Sequence, residues 1–131
     1  MKFDNVDFQY PSRPKSVVLK QFSVSCESGC TTALVGSSGS GKSTSVALLQ
    51  RFYDPSSGSI QLDGHDIKSL NLKWLRSLMG VVQQEPVLFN MSIRDNIAYG
   101  DASRDVSQAE IEEASRKSNI HDFIISLPEV S

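Results

Sequence analysis

The hydrophobic pattern changes character along the chain, and the changes locate its elements. From Phe3 to Tyr10 large apolar and polar residues alternate, as in a half-buried β-strand, and Pro11-Ser12-Arg13-Pro14 ends the stretch. A second extended region runs from Val17 to Ser25 before a turn at Gly29. Thr31–Val35 (TTALV) is apolar and β-branched, which predicts a parallel strand buried on both faces. The residues from Thr44 to Phe52 read as a helix, Asp54–Gly58 as a turn, and Ser59–Gly64 as a short strand with its own turn. Asn71–Leu78 predicts a short helix with Leu72, Leu75 and Leu78 on one face and Trp74 packed beside them. Met79–Gln83 reads as another buried strand.

Helices dominate beyond Pro86. Ser92–Tyr99 predicts one ended by Gly100, Ser107 with Glu110 matches a capping box opening a polar helix to Ser118, and Ile120–Leu127 adds a last one before Pro128. The beginning therefore reads as antiparallel strands laid beside a parallel core. The change near Pro86 carries no linker of the kind that separates independent domains, and there is no internal repeat.

Composition narrows the function classes. A chain of 131 residues supports one ordinary core. Thirteen basic against fifteen acidic residues give a formal charge of −2 with no long run of either sign, so nothing points to nucleic acid. Cys26 and Cys30 have no histidine or second cysteine pair nearby and read as small packing residues. No apolar run is long enough to cross a bilayer.

The strongest chemical signal is GSSGSGKST, Gly36 to Thr44, which fits Gly-x-x-x-x-Gly-Lys-[Ser/Thr] between a predicted strand and a predicted helix. Glycines let backbone N–H groups converge on phosphate oxygens, and a helix start adds unpaired donors and a favourable dipole end. In such a loop Lys42 reaches the β and γ phosphates and the Ser43 hydroxyl meets Mg2+.

Around that loop stand YPSRP, ALVGSSGSGKST, LLQRFYDPSSGSIQLDGHDI, LNLKWLR, VVQQEPVLF and SIRDNIAYG. In this order they resemble the N-terminal part of the nucleotide-binding domain of ATP-binding cassette (ABC) transporters, closest to the multidrug-resistance, P-glycoprotein-like exporter branch. The resemblance covers essentially the whole chain. It implies an α/β fold: a P-loop NTPase (RecA-like) core, an antiparallel β-subdomain and the start of a helical subdomain, an incomplete domain. Residues 1–85 would form the β-rich part with the P-loop core, and 86–131 the Q-loop and partial helical subdomain.

The resemblance also implies roles. Gly36, Ser37, Ser38, Gly39, Ser40, Gly41, Lys42, Ser43 and Thr44 would cradle the phosphates of ATP, with Tyr10 stacked on the adenine. Gln84, directly before Glu85-Pro86, would approach Mg2+ and the γ-phosphate. Ser43 and Gln84 are thus the metal-associated residues, and Lys42 and Gln84 the catalytic ones. Glu85 falls in the loop after the glutamine and is not the general base. Pro86–Phe89 resembles the surface that receives a transmembrane domain. The implied partners are that domain and a second nucleotide-binding domain arranged head to tail, the implied place the cytoplasmic side of a membrane protein.

Several family features do not occur in these residues: the Leu-Ser-Gly-Gly-Gln signature, the apolar strand ending in Asp-Glu, and the switch histidine. His65 and His121 lie elsewhere and read as surface residues, and Asp63 reads as a turn former. The chain is therefore expected to hold nucleotide without turning it over and to be marginally stable by itself. Two other readings stay open at this point: a soluble P-loop small-molecule kinase, and a non-catalytic nucleotide-dependent interaction fragment.

Overall fold

The computed structural model describes residues 1–101 and 103–128. The chain divides into two compact units, Met1–Val81 and Val82–Ser131.

The first unit is built on an antiparallel sheet of four strands in the order β2-β1-β3-β4, with β1 at Lys2–Gln9, β2 at Val17–Ser25, β3 at Ser57–Leu62 and β4 at His65–Asp66. Alternation along β1 is interrupted, because its buried residues are Phe3, Val6 and Phe8. A β-bulge in β1 accounts for this. Phe3 faces Val24 and Val6 faces Phe22, so β1 carries one extra residue there; Phe8 faces Leu19 and Gln9 faces Val17, so further extra residues lie in β2. The residues at the bulges, Asn5 and Gln21, both have φ of 48°. Their N–H groups are satisfied by side chains from the opposite strand, Asn5 donating to Ser23 Oγ at 2.9 Å and Gln21 to Asp7 Oδ1 at 2.6 Å. Asp7 also accepts from Ser57 Oγ at 2.7 Å, and the Gln21 and Ser57 bonds hold its carboxyl below the usual range. At Gly58, with φ of +76°, a Cβ would collide with the backbone of Asp4 and Asn5, so only glycine lets β3 approach the bulge.

Helix α1, Lys42–Leu49, lays Leu48 on the sheet, and α2, Leu72–Ser77, adds Leu75. With Phe3, Val6, Phe8, Leu19, Ile60 and Ile67 they form the core. Asn71 caps α2 by accepting from the Trp74 N–H at 3.0 Å. Trp74 itself is half exposed, against the packing role expected of it, and so are Leu72 and Leu78. Residues spaced by three drift about 60° per step around a helix, so Leu75 faces the core and its neighbours flank it.

Two further expectations fail. Neither Thr31–Val35 nor Met79–Gln83 is a strand, and Val35 and Val82 are 94% and 100% exposed. Among the described residues no strand is hydrogen-bonded beside either segment, and a lone extended segment has no ladder to belong to. Cys30 is likewise exposed rather than packed, and Cys26 half-buried.

The second unit is helical: α3 at Ile93–Ala98, α4 at Gln108–Lys117 and α5 at His121–Ile125, with a 3-10 turn at Tyr99–Asp101 after α3. The capping box on α4 is present in both directions. Arg104 pairs with Glu110 at 2.7 Å, and together with Ser107 it holds the Glu110 carboxyl down to about 2. His121 is half-buried rather than on the surface, its Nδ1 3.5 Å from Ser115 Oγ. Among the described residues no helix is long and apolar enough to cross a membrane.

Candidate functional site

The loop from Gly36 to Gly41 opens directly into α1, and the junction is set by Gly41. Its φ of +93° is strained for any residue with a side chain, and a Cβ there would stand 2.6 Å from Leu19 Cδ2. No side chain caps α1, so its first backbone N–H groups face the loop without a side-chain acceptor. Lys42 is the first helical residue and folds back over the loop. Its ammonium donates to the carbonyl oxygens of Gly36 and Ser37, each at 2.7 Å, and to Ser40 Oγ at 3.3 Å. The three donors of one lysine thus hold the loop curled around a positive charge.

An open cavity of about 460 Å³ lies along this loop, lined by Ser38, Gly39 and Gly41–Thr44, by Tyr10, Arg13 and Ser16 from the β1–β2 connection, and by Val18 of β2. The chain joins the two sides through a hydrogen bond of 2.9 Å between the Tyr10 hydroxyl and Thr44 Oγ1. Thr44 is buried. The Tyr10 ring stands edge-on to Phe8 at 5.0 Å and to Tyr53 at 5.2 Å, so these two rings and the Thr44 bond fix its orientation.

The electrostatics of the cavity are one-sided. Lys42 and Arg13 line it and no carboxylate does, although the chain as a whole is slightly acidic. A basic pocket on an acidic chain selects for anions locally. Unpaired helix N–H groups, a cation and a loop in which glycine is required fit a phosphate chain. Mg2+ has a suitable partner in the exposed hydroxyl of Ser43, and it coordinates through one or two protein oxygens when phosphates supply the rest. Among the described residues no group of three or more His, Cys, Asp or Glu side chains forms a metal cage.

Of the residues expected at the site, Tyr10, Ser38, Gly39, Gly41, Lys42, Ser43 and Thr44 share this cavity, while Gly36, Ser37 and Ser40 supply the oxygens that hold Lys42. Gln84 belongs to the second unit, where it is exposed in irregular backbone instead of closing a strand. Val87, Leu88 and Phe89 are also exposed. Sequence reasoning passed over Arg13, although it stands inside the phrase that identified Tyr10. It also missed Asn96, which accepts from the Phe89 N–H at 2.8 Å and donates to the carbonyls of Phe89, Met91 and Ser92 at 3.0–3.1 Å. A polar residue on a six-residue helix gives no warning that it holds the preceding loop.

A lysine-centred glycine loop opening into a helix beside an antiparallel sheet defines a P-loop NTPase of the ABC nucleotide-binding-domain type. The structure is similar to that of a bacterial Atm1-family ABC exporter with ATP bound, with a TM-score of 0.89 and 45% identity, over 97% of this chain and 22% of that one. The sequence profile of the ABC transporter family matches residues 19–129, and the chain belongs to that family. It is 58% identical over 128 residues to ATP-binding cassette sub-family B member 5 of Mus musculus, and 56% identical over 129 residues to ABC transporter B family member 1 of Arabidopsis thaliana. Each match covers 98% of this chain but about a tenth of the relative.

Proposed function

We propose that the chain binds Mg-ATP as the P-loop part of the motor domain of an ABC exporter. The observation that carries this is the cavity of the first unit, where Lys42, the uncapped start of α1 and the ring of Tyr10 converge without any carboxylate. Lys42 neutralises phosphate charge, exchanging its longest bond, to Ser40 Oγ, for a phosphate oxygen. The amides of the loop and of the helix start bind the remaining oxygens, and Ser43 orients the metal. Tyr10, held by Phe8, Tyr53 and Thr44, offers a ring to the adenine.

In the family reading Gln84 is the residue associated with the metal and γ-phosphate, and the exposed loop from Pro86 to Phe89, tied down by Asn96, receives a transmembrane domain on the cytoplasmic side. A second nucleotide-binding domain, arranged head to tail, completes the motor. Among the described residues no carboxylate lines the cavity to activate a water, so this chain by itself binds nucleotide without multiple turnover.

Titration of the purified chain with a fluorescent ATP analogue and Mg2+ tests the reading. Lys42→Ala is expected to weaken binding by about tenfold or more, through loss of a charge-assisted contact. Tyr10→Ala is expected to cost about fivefold or more, the usual contribution of an aromatic ring under a base. Equal affinity of both variants and the wild type would refute the assignment.

A further inference from the structure

The Arg13 side chain makes no hydrogen bond or ion pair among the described residues, and that sets it apart from the other arginines. The chain has six arginines. Arg51, Arg76, Arg94, Arg104 and Arg116 each donate to at least one carbonyl or carboxylate. Of the six arginines, Arg13 is the one with neither a side-chain hydrogen bond nor an ion pair among the described residues, although its backbone is firmly placed. Its N–H donates to the Tyr10 carbonyl at 2.8 Å, and its own carbonyl accepts from the Ser16 N–H at 3.0 Å. Pro11 and Pro14 on either side restrict the same turn, the second limiting Arg13 itself to extended backbone. A guanidinium on a rigid turn therefore lines the cavity that also holds Lys42, with no acidic residue in the lining to neutralise either cation.

We propose that Arg13 is a second phosphate-binding cation of this site, reaching the phosphate chain of the bound nucleotide from the β1–β2 turn while Lys42 reaches it from the glycine loop. The inference rests on the nucleotide reading above and deepens it. A planar guanidinium forms two parallel bonds to one phosphate, which a lysine at the same position does not reproduce. Because Arg13 and Tyr10 stand on one braced turn, base contact and phosphate contact come from the same element. This gives the site a way to favour phosphorylated ligands over the bare nucleoside that does not depend on the loop.

The test is competition against a fluorescent ATP analogue on the purified chain, with Mg-ATP and with adenosine, for wild type, Arg13→Ala, Arg13→Lys and Lys42→Ala. Circular dichroism confirms that each variant is folded; the Arg13 side chain makes no hydrogen bond or ion pair whose loss would unfold the turn. Arg13→Ala is expected to lose about tenfold in affinity for Mg-ATP and nothing for adenosine, with Arg13→Lys intermediate. Unchanged Mg-ATP affinity in Arg13→Ala, with Lys42→Ala still impaired, would overturn the inference and leave the nucleotide reading standing. An equal loss for adenosine would also overturn it, by showing that Arg13 acts on the shape of the turn. Failure of Lys42→Ala to weaken Mg-ATP would sink the nucleotide reading, and this inference with it.

Discussion

The first unit holds two kinds of apolar sequence that meet opposite fates. The antiparallel sheet buries Phe3, Val6, Phe8 and Ile60 almost completely, while Thr31–Val35, richer in continuous apolar residues, lies exposed. In the antiparallel sheet β1 finds a ladder on each edge, from β2 and from β3, and the bulges at Asn5 and Gln21 adjust the register so that one face points inward. A strand apolar on both faces needs a neighbour on each edge and cover on each side, and among the described residues it has none. Apolar content by itself does not make a strand. What decides burial is which partners are within reach.

The comparison can be broken most forcefully at the core. Leu48, fully buried between α1 and the sheet, should cost about 2–5 kcal/mol on replacement by alanine. Chemical denaturation measures this, and a loss near zero would mean that the sheet does not hold the unit together. A smaller effect is expected in the second unit, where Ser107→Ala removes the N-cap of α4 and should cost about 1 kcal/mol, read as lost helicity.

Glu110, in the same capping box, gives that helix a pH dependence. Arg104, and then Ser107, lower its folded pKa from 4.5 to about 2. A depressed carboxylate stabilises the fold fully above 4.5 and loses its contribution as pH falls toward 2. Wild type and Glu110→Gln should therefore differ in thermal midpoint near neutral pH and converge near pH 2; a difference constant across that range would contradict the pairing. Smallest of all should be Val35→Ser, at less than about 0.5 kcal/mol in unfolding, with reduced self-association in sedimentation. A large loss there would show that the segment is packed after all.

Much of this was legible in the sequence where the signal is local. The strand from Val17 to Ser25, the capping box at Ser107 and Glu110 and the helix start at Asn71 depend on neighbours a few residues away, and they stand where the pattern puts them. The alternation in β1 was readable, but not the three-residue step from Phe3 to Val6, because a bulge is fixed by the opposite strand. At the candidate site the glycine loop announced itself through residue types that only phosphate chemistry requires together. Arg13 did not, since an arginine in a turn is ordinary until its missing partner and the cavity beside it are seen. Asn96 was hidden for a similar reason: its hydrogen bonds run to backbone groups, which carry no sequence signature.

The central claim is that nucleotide binds where Lys42, the start of α1 and Tyr10 meet. Amide and aromatic NMR spectra recorded during titration with Mg-ATP test it most directly. The account predicts that the largest shifts fall on the amides from Gly36 to Thr44 and on the ring of Tyr10, and that they vanish in Lys42→Ala. Saturable shifts confined to other residues, with the loop unmoved, would contradict it.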